Sequence, residues 1–309
     1  MSVLVIEIIS LTTSLSSIQL ANPFILASGV MDEDAGSMKR ILDNGAGAVV
    51  TKSIGLQPRT GHPNPTFVEL DHGLLNAMGL PNPGIKAFCT ELEDIKSEQA
   101  IIIGSIFGSN EQEFISLACQ MQDHGASAVE LNLSCPHAKG YGLELGQDPE
   151  EIKIITQEVK QHVTIPVFVK LSPNVNDICI LAKAAESAGA DGIVAINTVK
   201  AMKIDIETKT PILSNKIGGY SGEAIKPIGV RNVYDLYSTI AIPLIGVGGI
   251  SSGKDAIEYF MAGASAVQIG SAIYTEGITI FSKLAKEVTS WMHEHDYTDI
   301  SELIGVSHS

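Results

Sequence analysis

The stretch "SAGADGIVAINT", residues 187–198, carries the chain out of one element and into the next. Ser187 and Ala188 close an amphipathic helical segment, Gly189 ends it, and the β-branched pair Ile193-Val194 begins a strand. The same passage recurs as "DNGAGAVVTKS" at 43–53, "DHGASAVELNLS" at 123–134 and "MAGASAVQIGSA" at 261–272. Glycine tolerates positive φ and so closes a helix, after which a short turn delivers the chain to a strand.

Other strands enter after proline: "IPVFVKLSP" at 165–173 and "IPLIGVGGI" at 242–250. With "PFILASG" (23–29) and "AIIIGSIFG" (100–108) the apolar strands number eight. Helical patterns lie between them. Residues 148–162 open on Asp148 as N-cap, Pro149 in the first helical position and two glutamates in the first turn. Residues 177–189 and 254–262 are amphipathic. Apolar strands alternating with helices imply a parallel sheet covered by helices. Eight such units predict an α/β fold, a (β/α)8 TIM barrel, with residues 1–309 as a single domain because no linker interrupts them. The opening segments "VLVIEI" and "LSSIQL" are expected to form an N-terminal β-hairpin that plugs the barrel bottom.

Composition narrows the function. Hydrophobic residues make up 45% and charged residues 18% of the chain, as in a folded globular protein. The net charge of −15, from 20 Lys+Arg against 35 Asp+Glu, argues against nucleic acid or an anionic membrane as partner, since both reward clustered cations. The four cysteines (Cys89, Cys119, Cys135, Cys179) form no C-x-x-C pair, so no zinc or iron–sulfur ligand set is expected, and free thiols in a reducing cytoplasm are. The chain has no apolar run of the ~18 residues that a membrane span needs. Its opening lacks the basic segment of a signal peptide. A soluble cytoplasmic protein is the expectation.

In such barrels the chemistry sits at the C-terminal ends of the strands. Those ends read Ser28-Gly29, Lys52-Ser53, Ser105, Asn132 with Cys135, Lys170, Asn197-Thr198, Gly248-Gly249 and Gly270-Ser271. Glycines after the seventh and eighth strands expose backbone N–H groups, and a following helix N-terminus adds a favourable dipole, which suits a phosphate. A lysine within a strand must meet an anion or snorkel to the mouth, so Lys52 and Lys170 stand out; a Schiff-base role is also open. In "NAMGLPNPG" (76–84), Asn76 and the N–H groups of Met78, Gly79 and Leu80 could clamp a carboxylate or an amide. Asn76, Asn132 and Asn197 each offer a donor and an acceptor, matching the imide edge of a pyrimidine ring. Cys89, Cys119 and Cys179 read as packing residues. Cys135 follows a strand end and precedes a proline, and a thiol there could act as base or nucleophile.

Six motifs in order, "ELNLSCPH" (130–137), "VKLSPNV" (169–175), "INTV" (196–199), "GGYSGEAIKP" (218–227), "IGVGGI" (245–250) and "GASAVQIGSAIY" (263–274), resemble the dihydroorotate dehydrogenases of class 1. "TKTPILSNKIGGYSG" (208–222) is most similar to the class 1B catalytic subunit. The resemblance implies a barrel holding one FMN at its mouth, with the phosphate on Gly248, Gly249, Gly270 and Ser271, near Gly222. Ser28, Lys52, Ser53, Ser105, Asn132, Lys170 and Ile196 match further cofactor positions. Lys52, Asn76, Ala77, Met78, Gly79, Leu80, Asn132, Asn197 and Thr198 match substrate positions. Cys135 falls on the catalytic base, which takes the C5 proton of (S)-dihydroorotate while C6 gives hydride to flavin N5. The resemblance also implies a homodimer joined to an electron-transfer subunit bearing FAD and a 2Fe-2S cluster, as a heterotetramer passing electrons to NAD. Ser105 and His137 stand where class 1 enzymes usually carry asparagine. With "GQDPE" (146–150), these positions also resemble the pyrimidine-reducing domain of dihydropyrimidine dehydrogenase, whose activity on uracil or thymine is the alternative.

Overall fold

The computed structural model describes residues 9–96, 100–133 and 145–309. Eight parallel strands close into a barrel: Phe24–Leu26, Ala48–Val50, Ile102–Ile106, Ala128–Asn132, Val167–Leu171, Gly192–Ala195, Leu244–Val247 and Ala266–Ile269. The eighth strand pairs with the first, Val267 opposite Phe24, and this closes the ring. These are the eight strands expected from the sequence. Helices α1 (Ala35–Asp43), α2 (Ile85–Lys96), α3 (Glu111–Asp123), α4 (Pro149–His162), α5 (Ile178–Ser187), α6 (Lys226–Tyr237), α7 (Gly253–Ala262), α8 (Ala272–Glu276) and α9 (Ile280–Glu294) accompany them.

The repeated Gly-Ala passage has one geometry throughout. It ends α1, α3, α5 and α7, with Gly45, Gly125, Gly189 and Gly263 at φ values of +98°, +101°, +88° and +120°. The alanine that follows donates its N–H to the carbonyl five residues back: Ala46 to Ile41 (3.4 Å), Ala126 to Met121 (2.9 Å), Ala190 to Ala185 (3.1 Å) and Ala264 to Tyr259 (3.0 Å). This is the Schellman closure, which satisfies a helix-end carbonyl and turns the chain towards the sheet. Helix α4 starts as its sequence requires, with the Asp148 carboxylate accepting from the Glu150 N–H (2.9 Å) and Pro149 in the first turn.

Side chains alternate across each barrel strand. Outward residues such as Val129, Leu131, Val167 and Val169 join the main core against the helices. Inward residues Ile25, Ala48, Val50, Ile103, Ala128, Phe168, Val194, Ile245 and Ala266 form a second, smaller core inside the barrel. Phe168 is fully buried there, and burying a side chain of that size contributes roughly 1.5–3 kcal/mol. Leu15, Ile18 and Leu20 belong to the same inner cluster. They come from the hairpin Thr13–Leu15/Ile18–Leu20, which closes the lower end of the barrel. The hairpin is therefore present, but both its strands lie after residue 12; of "VLVIEI", residues 3–8 lie outside the described residues.

A second sheet, not anticipated from sequence, is inserted at the mouth. The loops after the second and sixth barrel strands contribute Phe67–Leu70, Gly73–Asn76, Val199–Ala201 and Gly218–Ser221, all paired antiparallel. Asn76, the first residue of "NAMGLPNPG", is the last residue of one of these strands. Leu75, Ala77 and Leu213 make a small core on one side of the sheet. Leu74 and Asn76 face the other way, towards the barrel mouth.

Candidate active site

A cavity of about 460 Å³ opens between the C-terminal ends of the barrel strands and the inserted sheet. From the strand ends it is lined by Ser28, Lys52, Ser53, Asn132, Lys170, Ile196, Asn197, Thr198, Gly248, Gly249, Gly270 and Ser271. The inserted segments add Asn76, Met78, Gly79, Leu80 and Gly222. Two of the residues singled out in the sequence stand back from it. Ala77 is fully buried against Leu75 and Leu213, and Ser105 is fully buried behind Ser53. Cys135 and His137 lie outside the described residues.

The floor is polar because the inward positions change character one step above the apolar plug. On the fourth strand Ala128 is followed inward by Glu130 and Asn132; on the fifth, Phe168 by Lys170; on the eighth, Ala266 by Gln268. Lys170 is 6% exposed and meets the anion its burial demands, the Glu130 carboxylate at 3.2 Å. Gln268 completes the group, accepting from Lys170 at 3.1 Å and donating to Glu130 at 2.6 Å. Sequence reading passed over Glu130 and Gln268. The signal was available in the two-residue alternation of "AVELN" and "AVQIG", which places both on the inward face.

Asn132 is held by a run of hydroxyls. Its Nδ2 donates to Ser53 Oγ at 2.9 Å, and Ser53 Oγ lies 2.8 Å from Ser105 Oγ. The Ser105 N–H in turn donates to Thr51 Oγ1 at 3.0 Å. Asn132 Oδ1, buried, has no hydrogen-bond partner among the described residues.

On the opposite side, Lys52 pairs with the exposed Glu33 at 2.8 Å. Beside it Asp32 is fully buried. Its Oδ2 accepts from the Gly29 N–H, and its Oδ1 has no partner among the described residues. Burial pushes the Asp32 carboxyl up from 3.8 to about 6, against the Gly29 hydrogen bond and the Lys52 charge.

The glycine loops form a tight cradle. Gly249 has φ +70°, and a Cβ there would lie 2.8 Å from the Gly222 carbonyl oxygen and 2.8 Å from Lys226 Cβ. At Gly222 a Cβ would lie 2.5 Å from Gly73 Cα. The helix after the seventh strand contributes less than its position suggested. The N–H of Gly253 in α7 is taken by Glu287 (2.6 Å), and Ser252 and Asp255 complete a capping box. Lys226, packed beside Gly249, directs its ammonium to Asp255 (2.7 Å) and Glu258 (2.8 Å). Burial alone would lower its pKa, but the two carboxylates outweigh that and hold it above the ordinary lysine range. An anion in this cradle is left to the backbone of the glycine loops.

The other thiols suit packing. Burial, helped by nearby carboxylates, pushes the Cys89 and Cys119 thiols up, away from the reactive thiolate. No helix among the described residues is long and apolar enough to cross a membrane.

A closed eight-stranded barrel with a polar cavity at its strand ends, and glycine loops after the last two strands, has the layout of a barrel enzyme. The dihydroorotate dehydrogenase family model matches residues 10–292, and the chain belongs to that family, as an oxidoreductase of the class 1B kind. It is 53% identical over 302 residues to dihydroorotate dehydrogenase B (NAD(+)), catalytic subunit, of Methanocaldococcus jannaschii, covering 96% of this chain and 98% of that protein. The protein of the same description from Thermoplasma volcanium is 52% identical, with 96% and 98% covered. A crystal structure of DHODH in complex with ferulenol from Eimeria tenella shares the fold, with a TM-score of 0.86 at 21% identity, over 99% of this chain and 90% of that one.

Proposed function

We propose that this chain is the catalytic subunit that oxidises (S)-dihydroorotate to orotate in pyrimidine (UMP) biosynthesis, using one bound FMN. The observation that carries the reading is the cavity itself, where three asparagines and two lysines converge beside a glycine cradle. The residues fit FMN. The cradle at Gly222 and Gly249 excludes any Cβ and suits the close approach of a phosphate, and Lys170 on the floor suits a ring that gains negative charge. When bound, FMN supplies the hydride acceptor.

The chain's own residues bind, orient and move a proton. Asn132 presents Oδ1 to an N–H of the ring system, with its amide held by Ser53. Asn76, Asn197 and Thr198, with Met78, Gly79 and Leu80, surround the position of the substrate's polar edges, and Lys52 answers its carboxylate. Ser28, Ser53, Ile196, Gly248, Gly270 and Ser271 hold the cofactor, and Ser105 supports it through Ser53. Cys135, three residues beyond Asn132 in the sequence, is assigned as the base that removes the C5 proton. Electrons leave through an FAD- and iron–sulfur-bearing partner subunit to NAD, a reading supported by the description of the relatives as NAD(+)-linked catalytic subunits. A homodimer of this chain forms the centre of that assembly, in the cytoplasm.

The test is anaerobic mixing of purified, FMN-loaded protein with substrate while following flavin absorbance. Bleaching by dihydroorotate and not by dihydrouracil is expected. Bleaching by dihydrouracil alone would replace this reading with the dihydropyrimidine dehydrogenase-like one.

A further inference from the structure

The mechanism above gives no task to Glu130, although it is the most deeply placed charge in the cavity wall, with no exposed surface. Both its oxygens are engaged: Oε1 accepts from Lys170 Nζ (3.2 Å) and Oε2 from Gln268 Nε2 (2.6 Å). Gln268 Oε1 accepts from Lys170 Nζ (3.1 Å), so three side chains from the fourth, fifth and eighth strands close a ring of hydrogen bonds across the barrel.

Stability does not explain such a group. Buried ion pairs are commonly neutral or worse beside apolar residues of equal volume. This barrel packs the layer beneath with Ala128, Phe168 and Ala266, so an apolar layer is within its means. What distinguishes the ring is its location. All three residues line the cavity, and the Lys170 ammonium lies within a site where solvent screening is weak.

We infer that Glu130 is a positioning residue for Lys170 and the counter-charge that sets the reduction potential of the bound flavin. The inference rests on the FMN reading above. Glu130 and Lys170 together carry no net charge, so the field that the cavity floor presents is that of a fixed dipole and not of a free cation. Reduction adds negative charge to a flavin, and a more positive floor favours the reduced form. Removing the Glu130 charge therefore raises the potential, and removing the Lys170 charge lowers it. Gln268 is neutral and holds the pair in register without adding to the field.

The experiment is a midpoint-potential titration of FMN-loaded wild type, Glu130→Gln, Lys170→Gln, Gln268→Met and the double variant Glu130→Gln/Lys170→Gln, with FMN affinity and thermal unfolding measured on the same samples. Glu130→Gln is expected to raise the preference for reduced over oxidised flavin at least tenfold, about 30 mV for a two-electron couple. Gln268→Met is expected to move it by less than a third of that. The double variant is expected to lie above Lys170→Gln, and this comparison carries the test if Glu130→Gln alone does not fold. A double variant indistinguishable from Lys170→Gln, or a Glu130→Gln protein that loses stability with an unmoved potential, overturns the inference and leaves Glu130 as fold support. A wild type that takes up no FMN overturns the flavin reading itself, and this inference with it.

Discussion

The Asn132 amide nitrogen donates to the Ser53 hydroxyl across 2.9 Å, and this bond fixes which way round the amide sits. With the nitrogen committed to Ser53, the buried Oδ1 is the amide atom without a hydrogen-bond partner among the described residues. Ser53→Ala removes the acceptor and leaves a buried donor unsatisfied, at a cost of roughly 1–3 kcal/mol. The KM for dihydroorotate is expected to rise about tenfold or more, a loss of about 1.4 kcal/mol, with only a modest fall in melting temperature. Steady-state kinetics beside a thermal melt check this. An unchanged KM would mean that Asn132 is oriented by something else.

The glycine cradle separates backbone strain from ligand fit. Gly249→Ala places a Cβ against Gly222 and Lys226 at positive φ, and it is expected to weaken FMN binding at least tenfold as well as lower stability. Gly277 also has positive φ, +72°, but a Cβ there meets nothing within 4 Å. Gly277→Ala is therefore expected to cost stability of order 1–3 kcal/mol while leaving FMN affinity intact. Fluorescence titration of the two apoproteins with FMN distinguishes the cases.

Asp32 gives a pH signature. Its folded pKa of about 6 lies above the ordinary 3.8, so folding disfavours the charged form. This group's contribution to stability is most favourable below pH 3.8, declines as pH rises through the folded value, and stays unfavourable above it. The full rise corresponds to roughly 3 kcal/mol. Asp32→Asn keeps an oxygen for the Gly29 N–H and loses the charge. Urea unfolding is expected to find the variant more stable than wild type at pH 8, with the gap closing towards pH 4. A gap that does not change with pH would show that Asp32 does not titrate in this way.

Cys135→Ala is expected to slow flavin reduction by dihydroorotate about 10²–10⁴-fold, the usual span for losing a general base, with FMN content and melting temperature unchanged. Stopped-flow absorbance reads the rate. A variant that reduces at the wild-type rate would remove Cys135 from the mechanism.

The fold was legible in the sequence because its signals are local. Gly-Ala closures, prolines before strands and a well-formed N-cap at Asp148 each act within a few residues, and with eight apolar strands they leave little choice but a barrel. The inserted sheet was not legible, because its strands pair across long separations. Gly73–Asn76 lies against Gly218–Ser221, and nothing near Asn76 announces a partner so far along the chain. The site divided in the same way. Lysines in apolar strands draw notice wherever they fall, whereas Glu130 and Gln268 matter only through the two-residue alternation that turns them inward.

By itself the sequence determined the order of elements, the strand ends that carry polar residues, and the requirement that a buried Lys170 meet an anion. The tertiary structure alone decided which anion that is and which side chains share one space. Barrel closure brings the fourth, fifth and eighth strands around a common interior, so Glu130, Lys170 and Gln268 meet although 138 positions separate the first from the last. It also set Ser105 behind Ser53 and buried Ala77 on the face of the inserted sheet turned away from the cavity, because lining a cavity depends on where a Cβ points once the strands have closed, which no local signal records.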